Sequence, residues 1–79
     1  MNKNGIEKGL QEIGAHMTRV ADEEIRAIFI ADNVEIGFDL KGIYISTNYG
    51  TYYPLVGFNC KGASIEKQEL GNIEVIIKL

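Results

Sequence analysis

The residues best suited to nucleophilic chemistry in this sequence are Cys60 and His16, each the only residue of its type. A cysteine nucleophile needs a base within hydrogen-bonding reach and a third group that orients the base. His16 lies beside Met17 at the border of an apolar stripe, and a lone cysteine more often packs as a small apolar residue. We therefore predict no catalytic residues and expect the protein not to be an enzyme.

Carboxylates form two further groups that acid–base chemistry or a metal could use. One is the run of acidic residues at positions 22–24, and the other is Glu35 with Asp39 on one face of a predicted strand. Neighbours on a helix do not converge, and residues four apart on a strand lie about 13 Å from each other. A single histidine and a single cysteine also rule out a Cys/His zinc cluster. The sequence therefore predicts neither a metal site nor a cofactor.

Charge and glycine patterns argue against several binding classes. The nine glycines form neither a dinucleotide-binding nor a P-loop signature. The net charge is −3 and the eight basic residues are scattered, so we expect no direct contact with nucleic acid. The longest apolar run, residues 27–31, is too short to cross a bilayer, and the first residues form no apolar signal segment. We expect no membrane contact and a cytoplasmic location.

All four tyrosines fall within ten residues, in the segment YISTNYGTYY at positions 44–53. Tyrosine mixed with small polar residues is typical of binding loops, because tyrosine offers a large contact area at a low entropic cost. Tyrosines are also common in strands, where they pair across the sheet, and both interpretations stay open. The candidate binding residues are Tyr44, Tyr49, Tyr52, Tyr53 and Asn48.

An apolar stripe near the N-terminus predicts an amphipathic helix. The stripe has helical spacing over Ile6, Leu10, Ile13, Met17 and Val20. Asn4 followed by Glu7 is a capping-box pattern that marks where the helix begins. The prediction is a helix over residues 5–20.

The helical stripe fails beyond residue 20, since its continuation would place Glu24 in the middle of the apolar face. Residues 21–31 are open between strand and helix, and we favour a strand from Ile25 onward. Residues 34–40 alternate strictly and predict a half-buried strand. A two-residue loop at positions 32–33 would then join the two as a hairpin, with Arg26 opposite Asp39 as a cross-strand ion pair.

The next hairpin has two candidate registers. A two-residue loop at Lys41 and Gly42 places Leu40 opposite Ile43 on the buried side. A turn over residues 39–42 with a glycine bulge has better turn chemistry. We expect that second turn to move the apolar residues of the next strand to the other side of the sheet. Face matching favours the first register, but neither is excluded.

The remaining segments predict a strand, a short helical turn and a final strand. Residues 52–60 form the strand, in which Pro54 indicates an edge position or an irregular start. Ser64 suits the cap of a helical turn over residues 65–70. Residues 73–79 alternate and predict the last strand.

These elements predict one α+β domain over residues 1–79. It has an N-terminal amphipathic helix packed on one face of a mainly antiparallel meander sheet of four to five strands. The outward face of that sheet is unusually apolar and is expected to carry Ile28, Ile30, Gly37, Tyr44 and Ser46. With one cysteine, no internal disulfide stabilises so small a core. A homodimer would provide that stability.

The function expected from these features is a small non-enzymatic protein-interaction module. It would bind a protein partner, or a second copy of itself, through the tyrosine-rich hairpin. Its size and the lack of catalytic residues suit an inhibitor or accessory protein, for example of a phage. The alternative is a small-ligand binding domain whose tyrosines line a pocket between helix and sheet.

Overall fold

A computed structural model describes residues 3–56, 60–69 and 71–79 of the chain. These residues form one helix and seven strands in two antiparallel sheets, which confirms the α+β class with a larger share of strands than predicted. The elements in chain order are α1 (Lys3–Glu12), β1 (Ala15–Val20), β2 (Glu24–Phe29), β3 (Val34–Asp39), β4 (Gly42–Thr47), β5 (Gly50–Val56), β6 (Gly62–Glu69) and β7 (Asn72–Lys78). The part of the chain described contains no helix long and apolar enough to cross a membrane.

The strands do not form the single meander that was predicted. One sheet has four strands in the order β1-β2-β7-β6, and the other has three in the order β3-β4-β5. Buried apolar residues of α1 and of both sheets belong to one cluster. The three-stranded sheet is therefore a separate layer whose second side faces away from that cluster.

The predicted helix over residues 5–20 is wrong beyond Glu12. Gly14 has a φ of 106°, which ends the helical path, and the next six residues form β1. Ile6 and Leu10 are buried as predicted, but Met17 is 60% exposed. Met17 and Val20 fit the helical spacing of the stripe only by coincidence. They lie on opposite faces of β1 and so share no apolar surface.

Residues 24–29 form a strand as favoured, but its predicted partner is wrong. β2 pairs with β1 and β7, not with β3, so no hairpin forms at positions 32–33. Pairing with β7 places Phe29 opposite Ile73 and buries both side chains. Arg26 consequently never meets Asp39, and its guanidinium instead lies 3.1 Å from the Glu24 carboxylate.

The predicted helical turn over residues 65–70 is wrong over residues 65–69, and residue 70 lies outside the described residues. Residues 62–69 form β6, which pairs with β7 along its whole length, and the connection to β7 includes Gly71 at a φ of 80°. The final strand is confirmed as β7. The strand predicted over residues 52–60 is observed as β5 up to Val56, and residues 57–59 lie outside the described residues.

Of the two predicted turns between β3 and β4, the structure has the turn over residues 39–42, which turn chemistry favoured. Asp39 pairs with Gly42, whose φ is 124°. The two residues between them, Leu40 and Lys41, therefore form the loop, one residue earlier than the alternative loop at Lys41 and Gly42. The expected change of side is wrong, because residues directly opposite in the ladder share a face. Phe38 is on the edge strand and 54% exposed, and Leu40 at the turn is 97% exposed.

Candidate functional site

The side of the three-stranded sheet that faces away from the core carries two of the four tyrosines. Ile43 and Ile45 of β4 are fully buried, so Tyr44 between them points outward. In β5 the ring of Tyr53 packs against Tyr44, with ring centroids 5.9 Å apart at an interplanar angle of 61°. We call this side the tyrosine face; it comprises Glu35, Gly37, Asp39, Tyr44, Ser46, Thr51 and Tyr53.

Gly37 gives Tyr44 its position on the tyrosine face. The two residues are directly opposite each other in the β3–β4 ladder. A Cβ atom at Gly37 would lie 2.3 Å from the Tyr44 hydroxyl oxygen and 2.4 Å from its Cζ. The ring therefore lies across the backbone of β3 in space that only glycine leaves open. The edge-to-face contact with Tyr53 fixes it from the other side.

Tyr53 is fixed by the β3–β4 turn. Its hydroxyl donates a 2.5 Å hydrogen bond to Oδ2 of Asp39, whose Oδ1 accepts a 2.8 Å bond from the Lys41 backbone N–H. The Lys41 ammonium lies 5.4 Å from the centroid of the Tyr53 ring, within the range of a cation–π contact. The turn thus contacts Tyr53 twice: Asp39 binds its hydroxyl, and the Lys41 ammonium lies over one face of its ring.

These contacts shift the acidities of both partners. The hydrogen bond from Tyr53, followed by the bond from the Lys41 backbone, lowers the pKa of Asp39 below its ordinary value. The same bond to Asp39 raises the pKa of Tyr53, because it stabilises the protonated hydroxyl that donates it.

Replacing Tyr53 with phenylalanine is expected to raise the pKa of Asp39 toward its ordinary value, because the carboxylate loses its strongest donor. The folded-state pKa of Asp39 is depressed, so its stabilising contribution is present above the unfolded pKa and is lost as pH falls through the folded pKa. In the Tyr53→Phe protein that contribution should be smaller, and its loss should be complete at a higher pH, because only the folded-state pKa has moved. A carboxyl ¹³C NMR titration measures the change.

Tyr44→Phe is the matched control for this titration, since it removes a hydroxyl from the same face and keeps the Tyr53–Asp39 bond. An Asp39 pKa that stays the same in the Tyr53→Phe protein, or that moves equally in both variants, would contradict the hydrogen-bonding account.

Tyr52 lies on the opposite side of β5, toward the core. Its ring packs against Gly9 of α1, and its hydroxyl donates a 3.3 Å hydrogen bond to the Gly5 carbonyl. Burial, together with the nearby Glu12 carboxylate, raises the pKa of Tyr52. Tyr52 thus joins the helix to the sheet, and it does not share a surface with Tyr44 and Tyr53.

Asn48 and Tyr49 form the turn between β4 and β5. The Asn48 side-chain oxygen accepts a 3.2 Å bond from the Asp32 backbone N–H. Tyr49 is 61% exposed and lies against Gly14. The turn is joined to the end of α1 by Thr47, whose hydroxyl donates a 2.7 Å bond to the Ile13 carbonyl. These contacts place Asn48 and Tyr49 at one end of the sheet.

Cys60 and His16 are not brought together. Cys60 lies beside the C-terminal end of β7, where the Lys61 N–H bonds to the Lys78 carbonyl. His16 lines a concavity of about 280 Å³ with Asn72 at the other end of β7, and that strand is about 20 Å long. The Cys60 thiol donates instead to the Gly62 carbonyl at 3.2 Å.

The acidic residues at positions 22–24 line an open concavity at the turn between β1 and β2, together with Arg19. Within residues 3–56, 60–69 and 71–79, no group of three or more His, Cys, Asp or Glu side chains could hold a metal ion. Glu35 and Asp39 share the tyrosine face, and Asp39 is engaged by Tyr53.

A further concavity, of about 210 Å³ and mostly apolar, lies on the outer side of the four-stranded sheet. Its lining residues are Met17, Thr18, Arg19, Arg26, Ile28 and Glu74. Ile28 of the predicted outward face therefore belongs to this sheet, whereas Gly37, Tyr44 and Ser46 belong to the other. The predicted continuous apolar face is wrong for that reason.

Three contacts of the candidate site were not predicted from the sequence: that of Gly37 with the Tyr44 ring, that of Asp39 with the Tyr53 hydroxyl, and that of Lys41 with the Tyr53 ring. The signal for Gly37 was present, because a glycine within an alternating strand often marks the close approach of another group. The contacts of Asp39 and Lys41 required the turn at residues 39–42.

None of the family models, curated proteins or solved structures with which the chain was compared matches it.

Proposed function

We propose that the protein is a small non-enzymatic interaction module that binds a protein partner, or a second copy of itself, through the tyrosine face. The observation that supports this most is the pair Tyr44 and Tyr53, which are held in place by Gly37, Asp39 and each other on the side of the sheet away from the core. Aromatic rings that are positioned before binding lose little conformational entropy when a partner docks.

The polar residues of the tyrosine face support the same proposal. The Ser46 and Thr51 hydroxyls hydrogen-bond to each other at 2.9 Å, next to the aromatic pair. A large aromatic contact beside small hydroxyl groups is typical of surfaces that bind proteins, where tyrosine is enriched and the rim is polar.

A ligand pocket lined by the tyrosines receives less support. Tyr44 and Tyr53 lie on one side of the sheet and Tyr52 on the other, so they do not surround one volume. The concavities of about 280 and 210 Å³ are lined by residues of the four-stranded sheet and its connections and by none of the tyrosines. A module that works by contact alone suits an accessory or inhibitor role in the cytoplasm.

The double variant Tyr44→Thr/Tyr53→Thr is expected to lose its partner while it keeps its fold. Threonine suits a strand, and both side chains lie outside the core. Affinity capture from native lysate followed by mass spectrometry compares the variant with the unmodified protein. Sedimentation equilibrium at high micromolar concentration measures self-association in the same pair of samples.

The matched control is Met17→Thr, which removes an exposed apolar side chain from the other sheet. It should retain the captured partner or the dimer. Retention of the same partner and the same mass by the tyrosine variant would overturn the proposal. Far-UV circular dichroism must show that both variants are folded before capture is compared.

A further inference from the structure

The chain itself places a cation on the tyrosine face. Lys41 belongs to the exposed β3–β4 turn, and its ammonium lies 5.4 Å from the Tyr53 ring centroid. A separation of about 6 Å is the outer limit of an effective cation–π contact. The ring therefore attracts positive charge, and the group now near it is the Lys41 ammonium, close to the outer limit of that range.

The groups around Tyr53 strengthen its attraction for a cation. Its hydroxyl donates to the Asp39 carboxylate, which increases the electron density of the ring and adds a formal negative charge beside it. Lys41 is the one cation that the structure shows in contact with the aromatic pair among the described residues.

We infer that the tyrosine face binds an arginine side chain of the partner protein, with its guanidinium on the Tyr53 ring in place of the Lys41 ammonium. This rests on the proposed function. A guanidinium is planar and weakly hydrated, so it stacks on aromatic rings and pairs with carboxylates better than an ammonium does. Lys41 then acts as an internal competitor that the partner's arginine displaces.

The test uses small probes on the full chain. N-acetyl-arginine methylamide carries the guanidinium, and N-acetyl-citrulline methylamide has nearly the same shape without the charge. We expect the arginine probe to move the ring NMR signals of Tyr44 and Tyr53 in a saturable titration, and the citrulline probe to leave them unmoved. N-acetyl-lysine methylamide should bind more weakly than the arginine probe.

Lys41→Ala should bind the arginine probe about two- to fivefold more tightly, which is the factor that one exposed cation–π contact represents. Lys61→Ala removes an exposed lysine beside the other sheet and should leave the affinity unchanged. Asp39→Asn, which keeps the size of the side chain and removes its charge, should weaken binding.

Equal shifts with arginine and citrulline, tighter binding of lysine, or no gain in Lys41→Ala would each overturn the inference. If the inference is overturned but the Tyr44→Thr/Tyr53→Thr protein loses its captured partner, the proposed function stands without the arginine site. If that variant keeps its partner, the proposed function fails. The assignment of the arginine to a partner protein then fails as well, even if the arginine probe binds.

Discussion

Replacement of Phe29 with alanine is expected to lower the free energy of unfolding by about 3 to 5 kcal/mol. Phe29 is 0% exposed and has the largest fully buried side chain among the described residues. It lies between Ala15 of β1 and Ile73 of β7 in the four-stranded ladder. Small neighbours such as Ala15 cannot fill the space that the ring leaves, so most of the cavity should persist.

The loss is large relative to the whole stability of the chain. A domain of this size unfolds with about 4 to 12 kcal/mol. The Phe29→Ala protein should therefore show a strongly reduced urea midpoint, with partial unfolding at 25 °C at the lower end of that range. Far-UV circular dichroism during urea unfolding measures both quantities.

Phe38→Ala is the control of the same residue type. Phe38 lies on the edge strand β3 and is 54% exposed, so its removal should cost less than about 1.5 kcal/mol. The alternating pattern alone would place Phe38 in the core. Comparable losses from the two substitutions would show that Phe38 is buried in solution and that the arrangement of β3 described above is wrong.

The alternation of apolar residues located most of the strands. Residues 24–29, 34–39 and 72–78 are strands where the period of two predicted them. The period of the N-terminal stripe was ambiguous, since Met17 continues the helical spacing and is nevertheless exposed on β1. The positive φ of Gly14 ends the helix, and the sequence alone does not reveal that conformation.

Strand partners were harder to predict than the strands themselves. A short connection favours pairing between neighbours in sequence, and that preference produced the expected β2–β3 hairpin. The observed partner, β7, lies more than forty residues further along the chain. Its Ile73, Val75 and Ile77 lie opposite three buried residues of β2 and are themselves buried. Such long-range complementarity cannot be derived from local spacing.

The tyrosine cluster was visible in the sequence, but its division between two surfaces was overlooked. Tyr52 and Tyr53 are consecutive in a strand, so their side chains must point to opposite sides. The sequence could therefore have excluded a single surface containing both. The pairing of Tyr44 with Gly37 required the correct turn, because a shift of two residues would place Tyr44 beside Asp39 instead.

Gly9→Ala is expected to destabilise the protein by about 1 to 3 kcal/mol through overpacking. The new Cβ would lie 2.2 Å from Cζ of Tyr52, and the hydrogen bond of that ring to the Gly5 carbonyl opposes its displacement. Helix propensity alone would favour alanine by about 1 kcal/mol. The contact with Tyr52 should reverse that sign, which urea unfolding would reveal directly.

A double-mutant cycle separates the two effects. Tyr52→Ala alone should cost about 2 to 3 kcal/mol, because the ring is half-buried between helix and sheet. In that background Gly9→Ala should stabilise the protein by up to about 1 kcal/mol, since the methyl group enters the space vacated by the ring. The coupling energy should therefore be about 1 to 4 kcal/mol.

Gly62→Ala supplies the matched control, because a Cβ there has no neighbour within 4 Å. Its effect should be the same with and without the Tyr52 ring, which corresponds to a coupling near zero. A Gly9–Tyr52 coupling equally close to zero would mean that the ring does not rest on the helix in solution. Tyr52 would then be free to contribute to an outer surface, and the division of the tyrosines between two sides of the sheet would have to be abandoned.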